Sequence, residues 1–246
     1  MEGKVHIGTS GWSYKHWKPL FYPARMPATR WLAYYAETFH TTEINGSFYR
    51  LPSPETVEKW AATVPPGFVF CPKMSRYLTH MKKLKEPEEP LARFFDIFDS
   101  IRDKLGPVLL QLPPFLRFDE ARVRHFYKLL RSDYSRYDFV LEVRHESWLQ
   151  KEPLALMKEY NIGLVISQSE HEFPYSEAVT ASTVYIRMHG PRELYASSYS
   201  DDSLKEFARK IRKWAKSGHT VWVFFNNDIH GFAVGDAQRL RELVKK

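Results

Sequence analysis

The sequence predicts an α/β protein in which residues 1–246 form one domain, a (β/α)8 barrel of the TIM type. Three observations support this fold. Eight strand-like runs recur along the chain, amphipathic helical patterns separate most of them, and the length is usual for a single barrel. We expect an irregularity around the sixth β/α unit. An open, doubly wound sheet is the structural alternative, which is weakened because no GxGxxG turn follows the first strand.

The predicted strands are short runs rich in branched and aromatic side chains. They cover residues 5–8, 42–47, 68–73, 108–112, 139–144, 162–167, 184–189 and 221–226. Strands that alternate with helices pair in parallel through right-handed crossovers, and eight of them are enough to close a barrel.

The predicted helices follow apolar stripes with the helical period. The clearest stripes cover residues 91–105, 123–130, 204–214 and 233–243. A further helix is expected to begin at Ser53 or Pro54, with Glu55 in its first turn. Residues 168–182, after the sixth strand, are predicted to be mainly loop.

The composition limits the class of protein. A hydrophobic content of 43% and an aromatic content of 15% suffice for a large core and argue against disorder. The formal charge of +7 favours anionic partners, although solvated helical faces also produce such a balance. The single cysteine, Cys71, permits no internal disulfide and fits a reducing cytoplasm. No signal peptide and no membrane-spanning run is predicted, so we expect a cytoplasmic protein without a membrane partner.

Polar side chains recur near the carboxyl ends of the predicted strands, where barrel active sites are built. The series is Glu43 and Asn45, Lys73, Gln111, Glu142 and Arg144, Arg187 and His189, and Asn226. Burying so many charged groups costs several kcal/mol each unless they are paired or hydrated. The series therefore predicts a shared cavity at one rim of the barrel.

Three of these residues are predicted to be catalytic. Glu43 and Glu142 could act as an acid/base couple, with His189 as a further proton-transfer group. For Glu142 a structural alternative remains open, in which it forms an ion pair with Arg144 that fixes the rim.

The residues predicted to bind a ligand combine cations, amides and aromatic rings. They are Trp12, Tyr14, Asn45, Lys73, Arg76, His80, Gln111, Arg144, Trp148, Arg187, Tyr199, Asn226 and Asn227. The cations suit a phosphate or carboxylate, and the rings can stack on a sugar or a base. The lysines farther along, Lys82, Lys83 and Lys85, are interpreted as a solvated face.

No dedicated metal motif is visible, and no cofactor is predicted. Glu43, His80, Glu142, His189 and Asp228 could meet in space, but the chain contains no HxxxH, HxH or CxxC spacing. Nucleophilic catalysis is disfavoured because the only cysteine lies within a predicted strand and no GxSxG turn occurs.

Seven ordered blocks resemble the YecE-like family, also called domain of unknown function 72, across nearly the whole chain. The blocks are residues 7–12 with Tyr14 and Trp17, 43–50 with Pro52, Glu55 and Trp60, Lys73 with 75–76 and 78–80, 109–114 with Phe118 and Asp119, 142–148, 187–190, and 225–228 with Gly231 and Ala233. The resemblance implies a TIM-type barrel and no particular reaction. An acidic residue is expected after the sixth strand, where this chain has Ser167-Gln168-Ser169.

Two functional hypotheses follow. The first is an enzyme, a hydrolase or lyase with acid/base carboxylates, that binds a small phosphate- or sugar-bearing anion at the carboxyl rim of the barrel. The second is a nucleic-acid-binding protein or a phosphodiesterase-like barrel, which the positive charge and the aromatic residues favour. A non-catalytic scaffold is the remaining alternative, and the oligomeric state is not predicted.

Overall fold

Eight parallel strands form a barrel wall in the computed structural model, which describes residues 3–169 and 172–245. The strands are β1 (Val5–Thr9), β2 (Thr41–Ile44), β3 (Val69–Pro72), β4 (Val108–Gln111), β5 (Phe139–Glu142), β6 (Gly163–Gln168), β7 (Thr183–Met188) and β8 (Thr220–Phe225). They pair in the order β3-β2-β1-β8-β7-β6-β5-β4. The end strands β3 and β4 meet through bridges between Phe70 and Leu105 and between Lys73 and Leu109. The barrel is therefore nearly closed, and the predicted fold class is confirmed.

Helices surround this wall. They are α1 (Trp31–Thr38), α2 (Gly46–Tyr49), α3 (Pro54–Thr63), α4 (Glu88–Phe98), α5 (Glu120–Asp133), α6 (Lys151–Glu159), α7 (Asp201–Lys216) and α8 (Phe232–Lys245). Shorter turns of 3-10 helix cover Lys15–Trp17, Ala28–Arg30, Asp99–Lys104 and Glu146–Leu149, and a π-helical turn covers Tyr77–Met81. None of the described helices is long and apolar enough to cross a membrane.

The local sequence explains where these helices begin. The Ser200 hydroxyl accepts a hydrogen bond from the Ser203 N–H at 3.2 Å and caps α7, while Asp201 in its first turn and Lys216 in its last suit the helix dipole. The apolar stripe of α7 packs on the barrel and includes Leu204, Phe207, Ala208 and Ile211.

The segment after β2 both confirms and corrects the predictions. The predicted helix begins at Pro54, and the Ser53 hydroxyl caps it by accepting from the Thr56 N–H at 3.3 Å. The prediction that the second strand runs to residue 47 is wrong. The strand ends at Ile44 because Asn45 adopts helical dihedral angles, φ −86° and ψ −22°, and α2 follows at once.

The bore of the barrel carries a small core of its own. It consists of Cys71, Leu109, Val140, Val165, Tyr185, Trp222 and Phe224, with Val69 packed against them. Because strand side chains alternate, the residue two positions later points to the same side. That position holds Lys73 after Cys71, Glu142 after Val140 and Arg187 after Tyr185. The apolar bore thus gives way to polar groups at its carboxyl end.

β6 and β7 are connected without a helix in the described residues 169 and 172–182, where the irregularity was expected. The predicted loop over 168–182 starts one residue later, because Gln168 still belongs to β6, and residues 170 and 171 lie outside the described residues. Thr180 holds this connection to the barrel. Its hydroxyl accepts from the Leu164 N–H and donates to the Ile162 carbonyl, both at 2.7 Å.

Candidate functional site

Arg187 links two buried carboxylates across the carboxyl end of the bore. Its Nε and Nη2 donate to the two oxygens of Glu43 at 3.0 and 2.7 Å, and its Nη1 donates to Glu142 at 2.7 Å. The Tyr185 hydroxyl donates a further hydrogen bond to Glu43 at 2.8 Å. Burial alone would lower the pKa of Arg187, but the two carboxylates raise it. The guanidinium is therefore permanently charged.

Glu142 accepts hydrogen bonds from four side chains. Besides Arg187, they are Arg144 Nη2 at 2.7 Å, the Ser167 hydroxyl at 2.8 Å and His189 Nε2 at 3.0 Å. Burial alone would raise the pKa of Glu142, but the two guanidinium groups and the His189 donor hold it well below its usual range. Glu142 is consequently ionised at neutral pH.

His189 is fully buried and uses both ring nitrogens. Since the ionised Glu142 can only accept, Nε2 carries the proton and Nδ1 is free to accept from the Asn226 amide at 3.2 Å. Burial lowers the pKa of His189 to about 4, against the opposing effect of Glu142. The ring is therefore neutral at physiological pH.

Arg144 is less completely paired than Arg187. Its guanidinium lies 3.2 Å from the centre of the Phe173 ring. Nε and Nη1 have no partner at hydrogen-bond distance in the described residues, although the Tyr195 hydroxyl is near enough to interact electrostatically. Burial lowers the pKa of Arg144, and Glu142 opposes that shift.

A cavity of about 570 Å³ opens at this rim, and we call it the rim pocket. Its lining consists of Tyr14, Asn45, Phe48, Tyr49, Lys73, Arg76, His80, Gln111, Arg187, Tyr195, Asn226, Asp228 and Ile229. Its size is in the range of small-molecule sites. A larger cavity of about 770 Å³ lies at the opposite end of the barrel, around His6 and His40, away from the polar strand ends.

Lys73 is the second buried basic residue of the rim pocket, besides Arg187. It is 8% exposed, its Nζ donates to Gln111 Oε1 at 2.5 Å, and it lies 4.1 Å from the centre of the Phe48 ring. No carboxylate of the described residues lies within ion-pair distance of it. Burial and the nearby Arg187 lower the pKa of Lys73 to about 7, although Glu142 and Glu43 oppose the shift.

Arg76 and His80 complete the basic side of the pocket. Arg76 is exposed, and the His80 Nδ1 shares a 2.9 Å hydrogen bond with the Thr79 hydroxyl. Burial and the charges of Lys73 and Arg76 lower the pKa of His80 to about 4. The fixed positive charge at the mouth therefore comes from Arg76.

A smaller cavity of about 280 Å³ adjoins the rim pocket, because Tyr14 and Asn45 line both. Trp12 lies on this second cavity with its ring edge-on to Trp60, at 5.3 Å between centres. The Tyr14 hydroxyl donates to the Ser10 carbonyl at 2.5 Å, and the Asn45 amide donates to the same oxygen at 3.3 Å.

Five residues predicted to bind a ligand do not line the rim pocket. Trp12 lines the adjoining cavity, and the Arg144 side chain contacts Glu142 and Phe173. The other three bind neighbouring segments. The Trp148 indole is buried and donates to the Leu116 carbonyl at 2.7 Å. The Tyr199 hydroxyl accepts from the Gly190 N–H at 2.9 Å and donates to Gln168. The Asn227 amide donates to the Ser197 carbonyl and to Asp236 at 2.9 and 2.8 Å.

Other residues of the pocket were not among the predicted site residues. They are Phe48, Tyr49, Tyr195, Asp228 and Ile229. Phe173, which stacks on Arg144, was also missed. Each follows a strand by several positions, where no alternation tells which way a side chain points. The Tyr195 backbone is in the left-handed region, φ 64°, and no local sequence signal indicates that turn.

The predicted polar residues are not grouped as metal ligands in the part of the chain that the structure describes. Within residues 3–169 and 172–245, no group of three or more His, Cys, Asp or Glu side chains is placed to hold an ion. Glu43, Glu142 and His189 are close together, but Arg187 occupies the space between the two carboxylates.

Comparisons with known proteins identify relatives along the whole chain. A family model described as "Protein of unknown function DUF72" matches residues 6–246. The UPF0759 protein YunF of Bacillus subtilis is 24% identical over 270 residues, which cover 98% of this chain and 94% of that protein. The UPF0759 protein YecE of Escherichia coli is 27% identical over 147 residues, which cover 60% of this chain and 51% of that protein.

Solved structures with the same fold are also found. A DUF72 family protein from Thermotoga maritima superposes with a TM-score of 0.87 at 26% identity, over 99% of this chain and 100% of that one. One from Enterococcus faecalis gives a TM-score of 0.83 at 22% identity, over 98% and 96% of the two chains, which shows the fold alone.

Proposed function

Because the chain belongs to the DUF72 family, whose description names no reaction, we propose from the rim pocket itself that this protein is an enzyme acting on a small anionic ligand. The ligand carries a phosphate or a similar oxyanion together with a sugar or another ring. It is bound at the carboxyl end of the barrel.

The observation that carries this proposal is that no carboxylate in the described part of the chain forms an ion pair with Lys73. A buried ammonium is normally paired with a carboxylate, or it loses its proton. Among the described residues, the Lys73 ammonium has the neutral Gln111 as its hydrogen-bond partner, and the pKa of Lys73 is about 7. An oxyanion bound beside Nζ supplies the missing negative charge and raises the pKa again.

The other groups of the rim pocket fit the same ligand. Arg76 adds a second positive charge at the mouth, and the amides of Gln111 and Asn226 can orient hydroxyl or phosphate oxygens. The exposed ring of Tyr49 and the ring of Tyr14 offer flat surfaces for a sugar or a base.

Lys73 is also the group best suited to transfer a proton. General acid/base catalysis is most efficient when the catalytic pKa lies near the working pH. The pKa of Lys73 in the ligand-free protein meets that condition, whereas the pKa of Glu142 lies far below neutrality. In this proposal Glu43 and Glu142 hold Arg187 in place, and the acid/base role predicted for them and for His189 stays a prediction. Proton transfer beside an oxyanion is compatible with a hydrolase or a lyase.

Sulfate binding as a function of pH tests the proposal. Sulfate does not titrate near neutrality, so its affinity follows the protonation of Lys73 and is expected to fall about tenfold per pH unit above pH 7. Calorimetry on wild type and Lys73→Met should show strong, pH-dependent binding in the first and weak, pH-independent binding in the second.

Lys213→Met is the matched control, because Lys213 is exposed on α7, far along the chain from the pocket. It should bind sulfate as the wild type does. Equal affinity at pH 6 and pH 9 in the wild type, or unchanged binding in Lys73→Met, would contradict the proposal.

A further inference from the structure

The positive charge of the protein is concentrated in one half of the carboxyl rim. The segments that connect β1 to β4 with the helices after them are residues 10–30, 45–53, 73–87 and 112–119, and we call them the basic loops. They contain eleven lysines and arginines but only two acids, Glu86 and Asp119. Their net charge of +9 exceeds the +7 of the whole chain.

The other half of the rim has the opposite sign. Residues 143–150, 169, 172–182, 189–200 and 226–231 contain two arginines and five acids, a net charge of −3. The rim is thus divided into a basic and an acidic side. A divided rim favours a partner that lies along one side rather than one that covers the whole mouth.

The basic side chains are free to meet a partner. In the described residues, Lys82 makes the only salt bridge of the eleven, to Glu86 at 2.6 Å. Those classed as exposed are Lys15, Arg25, Arg30, Arg50, Arg76, Lys83, Lys85 and Arg117. Unpaired exposed cations on one surface create a field that attracts polyanions.

Exposed aromatic rings lie between these cations. Tyr49, Tyr77 and Phe115 are 73%, 42% and 65% exposed, although large aromatic side chains are usually buried. They follow β2, β3 and β4, which are consecutive around the barrel, so the rings form a row along the rim. Lys82 lies 5.6 Å from the centre of the Tyr77 ring, and Lys83 lies 5.1 Å from that of Phe115.

The backbone of the turn that carries Lys83 and Lys85 has an unusual conformation. Lys83, Leu84 and Glu86 have left-handed φ angles of 54°, 64° and 44°. Such angles are unfavourable for non-glycine residues and persist only where the surroundings enforce them. The side chain of Leu84 is buried and anchors this turn, and the Leu84 backbone N–H donates to the Leu78 carbonyl at 3.0 Å. Lys83 and Lys85 are thereby displayed on a fixed turn.

We propose that the basic loops bind single-stranded nucleic acid. Its phosphates contact the exposed lysines and arginines, and its bases stack on Tyr49, Tyr77 and Phe115. Cations alone would suit any polyanion, but a row of exposed rings beside them suits unpaired bases, whose faces a duplex hides. This inference does not depend on catalysis in the rim pocket, and each can fail without the other.

Fluorescence anisotropy with labelled oligo-dT and oligo-U of about 12 nucleotides tests the proposal. We expect both to bind more tightly than a duplex of the same length, with an affinity that falls steeply as salt increases. The slope of log affinity against log salt is negative, and each lost phosphate contact reduces its magnitude by about 0.7. The triple variant Lys83→Gln/Lys85→Gln/Arg117→Gln should therefore lower it by about 2.

The control is Lys158→Gln/Lys213→Gln/Lys216→Gln, which removes the same charge from exposed positions on α6 and α7. It should leave affinity and slope nearly unchanged. Tyr49→Ala and Phe115→Ala should each weaken binding roughly tenfold through lost stacking, with little change in slope.

Three results would overturn the proposal. One is the absence of binding to either oligonucleotide at low salt. Another is an equal loss of affinity in the two triple variants, which would reflect net charge alone. The third is displacement by polyglutamate as efficient as that by unlabelled oligo-dT at equal charge concentration, because the rings would then have no role.

Discussion

Replacing Lys73 by methionine is expected to stabilise the folded protein at neutral pH, although the residue lines the rim pocket. Folding removes the ammonium from water and lowers the pKa of Lys73 from 10.5 to about 7. Methionine has a similar length and no charge, so it fills the site without a desolvation penalty and without leaving a cavity. Functional sites often destabilise the fold in this way.

The magnitude follows from the two pKa values. At about 1.4 kcal/mol per pKa unit, the shift destabilises the wild type by roughly 4–5 kcal/mol at pH 7 and below, as an upper limit. Between pH 7 and 10.5 the unfolded chain binds more protons than the folded one, so the stability of the wild type rises with pH in this window. From pH 7 to pH 9 this rise is about 2 kcal/mol, and Lys73→Met lacks it.

Urea unfolding at pH 7, 8 and 9, followed by tryptophan fluorescence, measures this difference. The advantage of Lys73→Met over wild type should be largest at pH 7 and shrink by about 2 kcal/mol at pH 9. Lys213→Met should show no such trend. A variant that is less stable than wild type at pH 7, or an advantage that does not change with pH, would refute the assignment of Lys73 as a desolvated cation.

Two further predictions concern other buried groups. Glu142→Gln should destabilise the fold by about 3–5 kcal/mol, because it leaves the buried guanidinium of Arg144 without a counter-charge and Arg187 with Glu43 alone. Glu159→Gln at a surface pair should cost less than about 1 kcal/mol, and equal shifts in the thermal midpoint of the two variants would contradict this reasoning. The buried Cys71 thiol, whose pKa burial raises, should react with a disulfide reagent only after unfolding, and rapid labelling of the native protein at pH 8 would show that it is accessible.

The fold could be predicted because a parallel barrel has a simple sequence pattern. Its strands are buried on both faces, so each appears as a short apolar run, and all eight predicted runs correspond to observed strands. The polar strand ends could also be predicted, since a side chain two positions beyond a bore residue returns to the same side. Glu142 after Val140 and Arg187 after Tyr185 follow this rule.

The rest of the site is formed by loops, where side chains do not alternate as they do along a strand. Trp148 and Tyr199 follow strands as closely as some pocket residues do, yet their polar atoms bind neighbouring segments instead. Tyr195 and Phe173 approach Arg144 through turns with no sequence period. The family resemblance predicts an acidic residue near Ser167 and assigns the serine no role, but the Ser167 hydroxyl is one of the donors to Glu142. Such contacts become visible only with three-dimensional coordinates.

The bond pattern of Arg187 has a mechanical consequence. Glu43, Glu142 and Arg187 lie on β2, β5 and β7, no two of which are neighbours in the sheet. The guanidinium therefore acts as a strut that spans the top of the barrel and sets its width independently of the surrounding loops. The loops at this end of the barrel can change in length or sequence without deforming the barrel wall. One rigid barrel can therefore carry pocket entrances of different shape.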